Sequence, residues 1–102
     1  MTKTEAQALL AECRCQIDAI DVELRDLLNR RAGIVDDVVR AKEALAMPVY
    51  EAAREEEVVR KANTGNLGPL SDQALQHIFE TIMREMRMIQ QVYLDRRQGK
   101  LE

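Results

Sequence analysis

The sequence predicts an all-α protein built from three helices, and three observations carry that expectation. The chain is 46% hydrophobic yet only 3% aromatic; Leu, Ile, Val, Met and Ala supply its apolar content, which favours helices over a β-sandwich. Those apolar residues recur at alternating steps of three and four. Helix breakers are scarce and clustered, at Pro48 and at Gly65, Gly68 and Pro69, so that Gly33 alone interrupts the long stretch before Pro48. At 102 residues the whole chain, 1–102, is expected to form one helical domain.

The first helix is expected over about residues 4–45. Thr2 and Glu5 form a capping-box pattern at its start. An apolar stripe then runs through Leu10, Cys13, Ile17, Ile20, Leu24, Leu27, Ile34, Val38, Ala41 and Leu45, a heptad-like seam. Met47 precedes Pro48 and is biased away from helix. The second helix is expected over about 51–63, ending at Asn63-Thr64-Gly65. Ser71 offers an N-cap for the third, about 71–97, with Leu70 and Leu75 placed as a hydrophobic staple. Leu75, Ile78, Phe79, Ile82, Met86, Ile89 and Tyr93 line one side of it.

A helix of about 42 residues is a rod of roughly 60 Å, whereas a compact domain of this size has a radius of gyration near ~13 Å. Two shorter helices cannot cover the stripe of such a rod. A second copy of the chain would, so an obligate homodimer is expected, with the first helix packed along its partner; the alternative is a monomer whose first helix breaks near Gly33.

Composition narrows the function classes. The net charge is −3, with acids and bases interleaved; no basic tract suggests nucleic acid and no apolar run is long enough for a membrane. The opening MTKTEAQALLAE has no signal-peptide core, and a cytoplasmic protein is expected. Cys13 and Cys15 are two apart, so on a helix they point to nearly opposite sides and can neither pair nor share a metal. Free thiols fit a reducing compartment. His77 stands alone, off the apolar stripe, and reads as a surface residue. No metal site and no cofactor is expected.

The informative feature is charge in the wrong place. Arg31 and Lys42 lie within about 20° of each other around the first helix, at the centre of its apolar stripe and roughly 16 Å apart. Burying an unpaired charge is costly, so each needs a partner. Glu51 and Glu55 lie on the side of the second helix that carries Val58 and Ala62, with Arg54 at its flank. Gln90 stands beside the stripe of the third helix. Two arrangements fit: an internal salt-bridge network, or a pocket for a small anion. Arg14 lies at the edge of the same stripe, roughly 25 Å from Arg31. It does not serve the same pocket within its own chain, but in an antiparallel-type dimer it reaches the partner's.

This arrangement resembles the all-helical class of chorismate mutases, the type that stands alone or is fused to prephenate dehydratase. The resemblance covers about residues 10–93. Its landmarks are RCQIDAIDVELRDLLNRRAGIVDDVVRAK (14–42), PVYEAAREEEVV (48–59) and LSDQALQHIFETIMREMRMIQQ (70–91). The spaced set Arg14, Arg31, Lys42, Arg54, Glu55 and Gln90 is more specific than any one segment. The resemblance implies an intertwined dimer with two sites, in which Arg14 of one chain joins Arg31, Lys42, Glu51, Arg54, Glu55 and Gln90 of the other. It also implies the Claisen rearrangement of chorismate to prephenate, a step towards phenylalanine and tyrosine.

That reaction is unimolecular: one C–O bond breaks as one C–C bond forms. It calls for no nucleophile, metal or redox cofactor. By the resemblance, arginines grip the two substrate carboxylates and hold the enolpyruvyl arm over the ring. Lys42 and Gln90 donate to the ether oxygen as negative charge develops there. Glu55 accepts from the ring hydroxyl, Glu51 helps to orient the substrate, and Arg54 supports the carboxylate region or Glu55. Two positions depart from the pattern. Met86 stands where relatives often carry a small hydroxyl residue, and a thioether does not donate, so weaker affinity is expected. Glu51 stands where some members have a shorter acid.

Two other functions fit parts of the sequence. An isochorismate pyruvate-lyase on the same scaffold would use much the same cations. A non-catalytic helical dimerisation module would bury the charges only to fix register. The segment ALAMP (44–48) and the match of 65–91 to mutase–dehydratase proteins favour the mutase. Some members of the family place at position 90 a Glu that must be protonated to donate; Gln90 is always a donor. Activity is therefore expected not to fall between about pH 5 and pH 8, and a pH profile of kcat/KM checks this.

Overall fold

The computed structural model describes residues 1–100, which form helices and connecting turns with no strand among them. The order is α1 (Lys3–Gly33), α2 (Val35–Ala44), α3 (Ala52–Asn63) and α4 (Asp72–Arg97). The all-α expectation holds. The expected first helix is present as α1 and α2, separated by one residue. Ile34 there has right-handed helical dihedrals, φ −81° and ψ −18°. Gly33 is the local cause, since glycine weakens a helix interior by about 1 kcal/mol relative to alanine.

The chain divides into two compact units, Met1–Gly33 and the remainder from Ile34. The first unit is α1 alone. Its capping box forms with a variation: the Glu5 backbone N–H donates to Thr2 Oγ1, and the Thr2 hydroxyl donates to the Glu5 carboxylate, both at 3.1 Å. No residue of α1 is buried. Ile17, Ile20, Leu24 and Leu27 are each more than half exposed, at 51–55%.

In the second unit α4 is the central element, and α2 and α3 both pack against it. Val35 and Val39, one turn apart on α2, and Met83 and Met86 on α4 make the core, each at most 6% exposed. Full burial of one such side chain contributes about 1.5–3 kcal/mol. At the rim, Arg97 of α4 donates through Nε and Nη2 to Glu43 Oε1 of α2, at 3.1 and 2.8 Å. Ser71 caps α4 as the sequence predicts, its hydroxyl accepting from the Ala74 N–H at 3.0 Å. Asn66 closes the preceding loop: its Nδ2 donates to Leu70 O and Asp72 Oδ1, and its Oδ1 accepts from Gly68 N–H.

The end of α2 shapes the surroundings of Lys42. The Met47 N–H donates to Lys42 O at 2.8 Å and the Ala46 N–H to Glu43 O at 3.2 Å. This is a Schellman turn, with Ala46 in the left-handed position at φ 55°. Helix α4 ends the same way, with Lys100 N–H on Asp95 O and Gly99 N–H on Arg96 O, but there the left-handed residue is Gly99, φ 71°. In that region an L-residue is disfavoured by roughly 1–2 kcal/mol, a cost that glycine escapes. Ala46→Gly, offset in part by the freer unfolded chain, is expected to raise stability by about 0.5–1 kcal/mol, read as a higher urea midpoint at fixed protein concentration.

Candidate functional site

Lys42 lies in the last turn of α2. The Schellman turn folds the chain back beside it, so that the segment before α3 runs past its ammonium. The ammonium carries three N–H donors and meets three acceptors: Val49 O at 2.7 Å, Gln90 Oε1 at 2.9 Å and Glu51 Oε1 at 3.1 Å. One comes from the turn, one from α4, and one from the residue that precedes α3. The side chain of Lys42 is only 13% exposed and that of Glu51 28%. A cation this secluded is tolerable because its charge and all three donors are matched.

Gln90 takes its orientation from this contact. An ammonium only donates, so the amide must turn its oxygen towards Lys42. Its Nε2 is thereby the donor end facing away. A cation and an amide donor thus stand side by side in a half-buried setting, an arrangement suited to an oxygen on which negative charge develops.

Glu55 is held separately. Its Oε1 accepts from Arg87 Nη1 of α4 at 2.5 Å, and the two side chains are 20% and 31% exposed. The Arg87 guanidinium also lies over the Tyr50 ring, 5.1 Å from its centroid. Arg87 was not among the residues singled out in the sequence. The available signal was its spacing, three residues before Gln90 on the same side of α4.

Arg54 is placed differently. It is 54% exposed and donates to Glu57 Oε1 at 2.6 Å along the surface of α3. Met86 is 6% exposed and belongs to the core, as its apolar thioether dictates. Arg31 and Arg14 both belong to α1; Arg31 is half-buried and Arg14 exposed. Seventeen residues of helix separate them by roughly 25 Å, so they cannot converge on one small molecule within one chain. Cys13, Cys15 and His77 are exposed. Among the described residues no group of three or more His, Cys, Asp or Glu is placed to hold a metal ion, and no helix is long and apolar enough to cross a membrane.

Comparison with known proteins points in one direction. Residues 13–91 match the family model for chorismate mutase type II. A bifunctional chorismate mutase/prephenate dehydratase of Neisseria gonorrhoeae is 38% identical over 77 residues, which is 76% of this chain and 21% of that protein. One of the same description from Pseudomonas aeruginosa is 31% identical over 90 residues, 83% of this chain and 25% of that protein. The chain therefore spans about a quarter or less of these curated relatives. Among solved structures, the chorismate mutase of Helicobacter pylori in complex with prephenate superposes with a TM-score of 0.80 at 27% identity, covering 93% of this chain and 99% of that one. The chorismate mutase (Form II) of Thermus thermophilus gives 0.77 at 26% identity, covering 80% and 93%.

Glu57 gives the surface of α3 a pH dependence. Hydrogen bonding to Lys61, and then to Arg54, holds its carboxyl below the ordinary carboxylate value. A depressed folded pKa contributes stability above the unfolded value, and that contribution is lost as pH falls through the folded one. Glu57→Gln is expected to lower the urea midpoint at pH 7, by a margin that shrinks as pH falls below the ordinary carboxylate range.

Proposed function

The chain belongs to the chorismate mutase type II family, and from that premise we propose that it catalyses the rearrangement of chorismate to prephenate. The observation that carries this reading is the pairing of a secluded Lys42 ammonium with the Gln90 amide. Chorismate contains a breaking C–O bond whose oxygen gathers negative charge in the transition state. Lys42 and Nε2 of Gln90 are the donors for that oxygen, and they are strongest where the charge is greatest. Glu51 and Val49 O hold the ammonium in place beforehand, and its third N–H, which meets Gln90 Oε1 in the free chain, is the one that turns to the substrate oxygen. Glu55, ionically held by Arg87, accepts from the ring hydroxyl.

The two substrate carboxylates call for arginines. Arg31 serves one in its own chain; Arg14 serves one in the partner of an intertwined homodimer. Support for the dimer comes from α1, where no residue is buried and the apolar stripe lies open. A second copy of the chain removes that stripe from water, at roughly 25 cal/mol per Å², and returns an arginine in exchange. In that assembly the two units act as one chorismate mutase-type domain. Arg54 releases Glu57 to serve the carboxylate region or Glu55, and Met86 shapes the pocket from the core. The exposed thiols Cys13 and Cys15 support a reducing, cytoplasmic setting.

The test follows the loss of chorismate by its near-ultraviolet absorbance and identifies the product, with isochorismate run in parallel. Wild type is expected to form prephenate. Lys42→Ala is expected to lower kcat by about 10²–10³-fold, as for loss of one oxyanion donor, with the dimer retained in sedimentation. Pyruvate released from isochorismate, with chorismate untouched, would assign the chain to lyase chemistry. No turnover of either, with Lys42→Met more stable than the parent, would leave a dimerisation module.

A further inference from the structure

Two acids face the interior from the start of α3, Glu51 and Glu55, four residues apart and so on one side. A different cation holds each: Lys42 of α2 on Glu51, Arg87 of α4 on Glu55. Of the second pair, Arg87 lies outside the set of residues that the family resemblance brought forward. We propose that Arg87 is a positioning residue of this site, one that aims the Glu55 carboxylate at the ring hydroxyl of the substrate. The proposal rests on the chorismate mutase reading and deepens it.

The geometry supports more than charge balance. A guanidinium is planar, with its donors in a fixed fork. The guanidinium lies over the Tyr50 ring, 5.1 Å from its centroid, a contact that helps to hold it, and Nη1 donates to Oε1 of Glu55. With Oε1 engaged by Arg87, the other carboxylate oxygen is the acceptor left for a hydroxyl. Gln90 stands one turn beyond Arg87 on α4. The same stretch of helix therefore sets both the ether-oxygen donor and, through Arg87, the hydroxyl acceptor. Their separation is tied to the backbone of α4, which lets them recognise two neighbouring substituents of one ring.

A purely structural role predicts a different outcome. Glu55 is only 20% exposed, so removal of Arg87 lowers stability whatever its role; a positioning role is seen in addition, in substrate binding. The ring hydroxyl is the same group in the ground state and the transition state; its loss of contact raises KM and leaves kcat nearly unchanged.

The experiment is a double-mutant cycle on the intact protein with chorismate as probe, using Arg87→Met, Glu55→Gln and the double variant. Far-ultraviolet circular dichroism and sedimentation accompany it. Arg87→Met is expected to raise KM about tenfold with kcat within about twofold. In the Glu55→Gln background the same substitution is expected to change KM by less than about twofold, because its effect passes through Glu55. Independent, multiplicative effects would overturn the proposal, as would an unchanged KM or a loss confined to kcat. If Arg87→Met does not fold, Arg87→Lys carries the test: it keeps the charge but not the planar fork. A raised KM with kcat retained supports the proposal, and wild-type KM overturns it. A wild type that leaves chorismate unchanged overturns the mutase reading itself, an outcome distinct from a normal wild type with an indifferent Arg87→Met.

Discussion

The second unit depends on satisfying one secluded cation. Lys42 is almost out of solvent, and an ammonium there demands three acceptors and a counter-charge. Those acceptors come from three different places in the chain: the turn at Val49, the N-cap position of α3 at Glu51, and α4 at Gln90. Satisfying them fixes where the turn runs, where α3 begins, and how α4 is rotated about its axis. The core of Val35, Val39, Met83 and Met86 is small, so non-directional burial alone would specify the register of these helices weakly. A single polar cluster with three directional bonds specifies it strongly.

That requirement accounts for the unusual turn at the end of α2. Lys42 both contributes its carbonyl to the Schellman turn and sends its side chain to the segment beyond it. The chain accepts an alanine in the left-handed region at position 46 to make this reversal. The helix stop and the site are thus one local structure. A similar coupling operates on α4, where Gln90 and Arg87 occupy successive turns and attend to two different elements of the site.

The first unit shows the complementary situation. Helix α1 has an apolar stripe with no buried residue, and two arginines spaced too far apart to act on one small molecule in one chain. The proposed two-chain assembly would explain both, with the stripe covered and each arginine serving a different site. Family membership is carried by residues 13–91.

The sequence by itself determined the helical segments and the ends marked by caps and breakers, but not the interruption between α1 and α2. The step of three and four, the capping residues Thr2 and Ser71, and the Gly and Pro clusters are local signals, and they were legible because helix formation is decided within a few residues. The anomaly of Arg31 and Lys42 was legible for the same reason, since their place on the stripe follows from helical spacing alone. The tertiary structure decided the pairings. Which acid meets Lys42, which way the Gln90 amide faces, and that Arg54 turns to Glu57 while Arg87 takes Glu55 depend on contacts between residues as many as 48 apart. Spacing along one helix places a residue on a face. It does not say which neighbouring helix that face will meet, because that is set by packing and by the bonds a buried charge must find.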